Sequence, residues 1–285
     1  MIWAEITGVC QLSCVHCYAG SGPDGTHGTM TPDDWERVLT EAAGLGCQHV
    51  TYIGGEPLMY PALPRLVRHA LGLALEVEVY TNLVHVSPDL WELFELPGVH
   101  LATSWYSNDR GEHEQITGRD TFRQTLGNIE EATRRGVPLR VGMVDGIMPG
   151  QKTEEGEREL RVLGVTTIGT DRLRKFGRGS AGSPDEADTC GACGHGNAAI
   201  LPDGTVAPCI FTRAAAAGNV LTAPLGGVLT DGAFAAQVAR LDSLRPAAWP
   251  CVPNMCDPQC GPSCGPACRP AGNCRPTGAC APDYR

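Results

Sequence analysis

The sequence contains no run of about 18 apolar residues, which excludes a membrane-spanning helix by the usual length argument. It also lacks a basic face. With a net charge of −10, neither nucleic acid nor an anionic membrane is expected as a partner. The densest basic cluster, Arg172-Leu173-Arg174-Lys175, is short. The first residues, Met1-Ile2-Trp3-Ala4-Glu5, carry neither a basic stretch nor an apolar segment ahead of a cleavage site. No secretory signal is therefore expected, and the chain is expected to be cytoplasmic. Cysteine is missing between residues 48 and 189.

Elsewhere cysteine is plentiful: 14 in 285 residues. Three lie at 10–17, three at 190–209 and seven at 251–280, with Cys47 alone. In a secreted mini-protein such numbers would mean disulfides. In a cytosolic chain of this length, clusters of this kind point to metal binding. Cys47 falls at a helix-to-strand junction and reads as a small buried hydrophobe.

From Met1 to about Thr170 strand and helix patterns alternate. Strands are predicted at Trp3–Thr7, His49–Ile53, Leu75–Thr81, Val99–Ser104, Pro138–Val144 and Val165–Thr170. Helices are predicted from Thr31-Pro32, over about Pro61–Leu71, after Ser87-Pro88, over about Thr121–Arg135 and over about Thr153–Leu163. Six strands with intervening helices imply an α/β fold on a parallel sheet, open or curled into a partial barrel. Such sheets carry their sites at the C-terminal ends of the strands. Residues 177–189 read as a linker. Beyond them, Ala198–Leu201 and Val206–Pro208 flank Pro202-Asp203-Gly204 as a hairpin, and a helix is predicted at about Asp231–Leu241. From Pro250 onward the chain is Cys, Pro and Gly. It has too few apolar residues for a core, so metal ligation is the expected ordering force.

Cys10, Cys14 and Cys17 follow the first strand and open a glycine-rich loop. Three thiolates on one loop can hold three irons of a [4Fe–4S] cube and leave the fourth iron open. Read as a structural zinc loop, the triad would want a fourth ligand. His16 is the nearest candidate, but it adjoins Cys17 and would strain that geometry.

At these residues the chain resembles the radical S-adenosylmethionine (SAM) superfamily, whose signature is C-x3-C-x2-C after the first strand. His16 occupies the position that often holds an aromatic residue or His in that family. The resemblance extends through about residue 176. Gly54-Gly55-Glu56-Pro57 is similar to the family's GGEP segment, Thr81-Asn82 to its TN segment, and Ser104 to its polar residue at the end of the fourth strand. The resemblance implies a partial (βα)6 barrel over 1–176. It also implies SAM binding by His16, Gly54, Gly55, Glu56, Asn82 and Ser104, and a [4Fe–4S] cluster on Cys10, Cys14 and Cys17. The implied chemistry is reductive cleavage of SAM, after which a 5′-deoxyadenosyl radical abstracts hydrogen from the substrate. An electron donor such as flavodoxin or ferredoxin would supply the electron.

The spacing Cys193-x10-Gly204-x4-Cys209 resembles the opening of a SPASM domain, C-x9–15-G-x4-C, and Cys190 fits the same window. A small Cys-rich domain over 190–285 is thereby implied, with two auxiliary [4Fe–4S] clusters. Its expected ligands are Cys190, Cys193, Cys209, Cys251, Cys256, Cys260, Cys264, Cys268, Cys274 and Cys280. The tail departs from the family's C-x2-C-x5-C-x3-C: from Cys251 its spacings are x4, x3, x3, x3, x5 and x5. Ile210 stands where sulfatase-maturating relatives carry an Asp base, so formylglycine formation is not expected. Asp109, Glu112, His113 and Glu114 read either as acid/base groups or as a solvated helix start.

The resemblance to SPASM-type enzymes implies a maturase acting on a ribosomally made precursor peptide, with an oxidative cross-link favoured. The rival is a dehydrogenase or epimerase of a sugar or aminoglycoside. A plain electron-transfer protein is disfavoured by the GGEP segment and the missing fourth ligand. Because the first strand begins near Trp3, no N-terminal leader-binding module is expected, and a separate leader-binding protein is the alternative.

Overall fold

The computed structural model describes residues 1–244 apart from 181. The expected tail ligands Cys251, Cys256, Cys260, Cys264, Cys268, Cys274 and Cys280 lie outside the described residues.

Six strands run parallel in chain order: β1 (Ile2–Thr7), β2 (His49–Gly54), β3 (Glu76–Tyr80), β4 (Val99–Trp105), β5 (Leu139–Asp145) and β6 (Thr167–Arg172). Each matches a predicted strand to within two or three residues. The connecting helices are α1 (Pro32–Gly44), α2 (Leu63–Gly72), α3 (Pro88–Phe94), α4 (Arg110–Thr117), α5 (Phe122–Arg135) and α6 (Thr153–Val162). Strands that follow one another in sequence and pair with their neighbours make the parallel, partial-barrel sheet that was expected. A hairpin of β7 (Ala198–Ile200) and β8 (Thr205–Ala207), with the short β9 (Gly218–Asn219), extends the sheet beyond β1. β7 pairs parallel to β1, with Trp3 opposite Ala199. Two helices follow, α7 (Leu225–Thr230) and α8 (Gly232–Ser243). Among the described residues, no helix is long and apolar enough to cross a membrane.

Helix starts follow local chemistry. Thr31 and Asp34 form a reciprocal capping box on α1, and Pro32 fills the first turn, where no partner for its missing N–H is needed. Asp109 caps α4 by accepting from Gly111 and Glu112 N–H, and Gly118 ends that helix in the left-handed region.

The period-two alternation of the strands sorts the two faces of the sheet. Ile2, Ala4, Ile6, Tyr52, Val77, Val79, Leu101, Val141 and Met143 point outward into the main core, against Trp35, Leu39, Leu66, Phe94, Ile129 and Leu160. Each such side chain contributes about 1.5–3 kcal/mol by leaving water. The alternate positions line the lumen and are mixed in character. Trp3 and Ile53 join Ala199 and Ile210 in a second apolar cluster, with Tyr18, Tyr80 and Phe211 packed against it. Below this lies a buried ion pair, with Arg140 Nε 2.6 Å from Glu78 Oε2 and Nη2 2.8 Å from Oε1.

Candidate functional site

The loop after β1 carries the three cysteines. Backbone bonds from Gly8 N to Thr26 O (2.8 Å) and Cys10 N to Gly22 O (3.0 Å) close it on itself. Ser13 N to Thr117 O (3.0 Å) and Val15 N to Ile116 O (2.9 Å) tie it to the end of α4. Cys10, Cys14 and Cys17 all face one cavity of about 190 Å³ at the C-terminal ends of the strands. His16, Gly54, Gly55, Asn82 and Ser104 line the same cavity, so these expected site residues converge there.

Burial, with Glu56 and Cys17 nearby, pushes the Cys10 thiol up to about 11; burial and the other two thiols push the Cys14 thiol up to about 12. Both are therefore protonated at neutral pH until a metal replaces the proton. Cys10 Sγ faces two donors, Leu12 N at 3.4 Å and Asn82 Nδ2 at 3.8 Å, as a sulfur that will carry negative charge requires. Burial lowers His16 to about 4, so its ring is neutral. The ring packs edge-on against Tyr106, and its Nδ1 has no partner among the described residues.

The Gly54-Gly55 turn lies flat against the cysteine loop. Gly55 N donates to Thr7 O at 2.7 Å and Glu56 N to Val9 O at 2.8 Å. A Cβ on Gly55 would sit 2.2 Å from Val9 O, so only glycine permits this approach. Glu56 does not line the cavity. Its buried carboxylate lies behind the turn and accepts from Thr81 Oγ1 (2.6 Å), Asn82 N (2.7 Å) and Leu58 N (3.0 Å). Desolvation nevertheless raises it to about 7. Asn82, fixed by Glu56 through its backbone, exchanges side-chain amide bonds with Gln11 (3.0 and 3.2 Å). Ser104 Oγ lies 3.1 Å from the Tyr80 hydroxyl.

The second cysteine set gathers at the hairpin. Cys193 is buried and hydrogen-bonded with Cys209. That bond, together with burial and the nearby Cys190, drives the Cys209 thiol well above its ordinary value. Cys193 and Cys209 pack with Ala215 and Leu241 of α8. Phe211, two residues past Cys209, lines the cavity shared with the first set.

Of the charge run after β4, the structure brings only His113 to the cavity. Asp109 caps α4 and pairs with Lys152 Nζ at 2.7 Å; Glu112 accepts from Ser107 Oγ and Lys152 N; Glu114 is exposed. His113 is buried among Trp105, Tyr106 and Phe122, and burial lowers it to about 4. Other lining residues, including Tyr106, Thr117, Thr125 and Arg178, carried no sequence signal beyond lying after predicted strands.

Among the described residues, no three His, Cys, Asp or Glu side chains are already gathered as a metal site. The donor set still fits an iron–sulfur cluster: three thiols on one loop face one cavity, and donors wait at Cys10 Sγ. The same cavity offers backbone at Gly54-Gly55 and polar groups at Asn82 and Ser104, which suits the polar ends of SAM.

Residues 4–163 match the family model described as the Radical SAM superfamily. The chain is 30% identical over 142 residues to a PqqA peptide cyclase of Bradyrhizobium diazoefficiens, covering 49% of this chain and 37% of that protein. It is 29% identical over 139 residues to an AdoMet-dependent heme synthase of Methanosarcina barkeri, covering 48% and 40%. The matched stretch thus spans half or less of the length of these relatives. In fold, it is similar to Streptococcus suis SuiB bound to the precursor peptide SuiA, with a TM-score of 0.71, 16% identity and 87% of this chain and 67% of that chain covered.

Proposed function

The chain belongs to the radical SAM superfamily, with SAM and a [4Fe–4S] cluster as its cofactors, and on that premise we propose that it matures a ribosomally synthesised precursor peptide by oxidative cross-linking. One observation carries this reading. The cavity that gathers Cys10, Cys14 and Cys17 is also lined by Phe211, just past the Cys193–Cys209 pair. Phe211 packs edge-on against Tyr18 at 5.1 Å, so the chain just past the second cysteine set reaches the loop that carries the first. This suits a net two-electron oxidation, in which the second set holds an acceptor for the electron left after hydrogen abstraction.

The bound cluster and SAM supply the 5′-deoxyadenosyl radical. The chain's own residues bind and orient. Cys10, Cys14 and Cys17 hold the cluster. Gly54 and Gly55 present backbone to the methionine end, and Glu56 holds Asn82 in place from behind. Ser104 and Tyr80 offer hydroxyls to the same cavity. Trp3, Ile53 and Ile210 keep the lumen side dry. Cys190, Cys193 and Cys209, with partners from the tail, would hold auxiliary clusters in a SPASM-type domain over 190–285, joined through the 177–189 segment. An electron donor such as flavodoxin or ferredoxin and a separate leader-binding protein complete the proposed set of partners. The peptide reading gains support from the PqqA peptide cyclase relative.

The test is anaerobic reconstitution with SAM and dithionite, followed by mass spectrometry of candidate peptides encoded beside the gene. Loss of two mass units is expected. Uptake of one solvent deuterium at an otherwise unchanged residue would mean epimerisation. Turnover only on a sugar or other small metabolite would overturn the peptide reading. The triple variant Cys10→Ala/Cys14→Ala/Cys17→Ala is expected to form no 5′-deoxyadenosine while keeping its auxiliary iron.

A further inference from the structure

The turn after β6, at the head of the segment that reads as a linker, is fastened onto the cysteine loop. Arg178 Nε donates to Cys14 O at 2.7 Å and Nη2 to Ser21 O at 2.8 Å. One guanidinium thus bridges two points of the loop seven residues apart. The Arg178 backbone N–H donates to Cys17 O at 3.0 Å, so carbonyls of two of the three cysteines are held by one residue. Gly177, at φ +51°, packs so closely that a Cβ would sit 2.3 Å from both Cys17 O and Tyr18 O. Gly179 approaches His16 O, with a Cβ placed at 3.3 Å. Among the described residues no carboxylate pairs with Arg178, so its donors are committed to the loop rather than to an ion pair.

This loop needs outside support. It is rich in glycine and carries no helix or extended strand; its other hydrogen-bond anchors lie ahead of Cys17, at Val9 on the Glu56 N–H, Gln11 on Asn82, and Ser13 and Val15 on the end of α4, or at its far end, at Thr29 and Met30 on Pro202. Three thiolates must converge on one cube, and a loop that explores many conformations meets that geometry rarely. We propose that Gly177 and Arg178 form a clasp that holds the loop in its ligating shape, with Arg178 a positioning residue for the SAM-binding cluster. The inference rests on Cys10, Cys14 and Cys17 being the ligands of that cluster.

Arg and Lys separate geometry from charge. Lysine keeps a cation but has no planar fork, so it reaches one carbonyl at a time. The experiment uses the full-length, anaerobically reconstituted protein as wild type, Arg178→Lys, Arg178→Gln and Gly177→Ala. Two readouts are taken: the rate of iron loss to a chelator, and the change that SAM induces in the electron paramagnetic resonance signal of the dithionite-reduced protein. Only the open-site cluster responds to SAM, so that signal isolates it from auxiliary iron. Hydrogen exchange of residues 11–22 reports on the loop itself.

Gln and Ala variants are expected to lose the SAM-responsive signal at least tenfold faster than wild type, with faster exchange in 11–22 and an unchanged rate for the remaining iron. Arg178→Lys should fall between. Equal rates and equal loop exchange in wild type and Arg178→Gln would overturn the clasp, as would loss of all iron together. A wild-type protein that holds iron but shows no SAM-responsive signal would overturn the clasp and the ligand assignment beneath it.

Discussion

The floor of the cavity rests on a buried ion pair, and breaking it from one side should cost far more than removing it whole. Glu78 and Arg140 have side chains exposed by only 3% and 4%. The fork is bidentate, and Thr51 Oγ1 adds a third contact to Glu78 at 3.3 Å. The guanidinium carbon also lies 5.2 Å from the centre of the Tyr80 ring, whose hydroxyl meets Ser104. Glu78→Leu alone would leave the Arg140 charge in a medium that solvates it poorly, at a cost of about 3–5 kcal/mol. At 1.4 kcal/mol per decade, this lowers the folding equilibrium by roughly a hundredfold to a few thousandfold. Arg140→Met alone should cost a similar amount. The double variant exchanges the pair for apolar volume and should lie within about 1 kcal/mol of wild type. The coupling energy of the cycle is then at least ~5 kcal/mol in favour of the pair. Anaerobic urea titration followed by tryptophan fluorescence reads this, because Trp3, Trp35, Trp91 and Trp105 are all buried in the barrel. Single variants no worse than the double, with coupling below ~0.5 kcal/mol, would refute the reasoning.

His113 is neutral when folded, near 4 against an ordinary 6.5. The unfolded chain takes up that proton first, so its contribution is full above pH 6.5 and is lost as pH falls toward 4; by linkage this amounts to ~3 kcal/mol at most. Denaturation of wild type and His113→Phe between pH 7.5 and 4.5 should show a shallower pH slope in the variant. Gly55→Ala places a Cβ 2.2 Å from Val9 O and should weaken SAM binding at least tenfold, measured by equilibrium dialysis of the reconstituted protein. In the apo protein, Cys10 at about 11 leaves roughly a thousandth of its thiol as thiolate at pH 8. Its alkylation by iodoacetamide, mapped by peptide mass spectrometry, should run about a hundredfold slower than that of a free cysteine.

Much of the barrel was legible because its strands are bounded by strong punctuation. Thr31-Pro32 and Ser87-Pro88 mark helix starts that the structure reproduces as capped α1 and α3. The segments at 49–53, 75–81 and 99–104 alternate apolar and polar residues, most clearly in Leu75-Glu76-Val77-Glu78-Val79, which is the period of a strand with one face in the core. The short helix α7, Leu225–Thr230, left no comparable trace: its two glycines mask the helical period, and its N-cap makes no side-chain bond. The cavity was legible where a residue type is chemically committed, as with thiols or a double glycine. His113 was not, since one ring within a charged run reads as surface until tertiary packing places it beside Trp105 and Phe122.

Glu56 shows why motif and geometry carry different information. As a motif residue it stands for contact with the cofactor. In the fold it turns away, and its three acceptor bonds fasten the end of β2 to the end of β3. Asn82 is the residue that reaches the cavity, and its backbone N–H is held by Glu56 at 2.7 Å. The carboxylate therefore acts through Asn82 and the turn that begins there, where Leu83 sits at φ +53°. A non-glycine residue in that region persists only when surrounding bonds fix it, and Leu83 N does donate to Thr81 Oγ1 at 3.1 Å. Thr81 in turn donates to Glu56, so one buried carboxylate, one hydroxyl and one left-handed leucine set the direction in which Asn82 faces the cysteine loop.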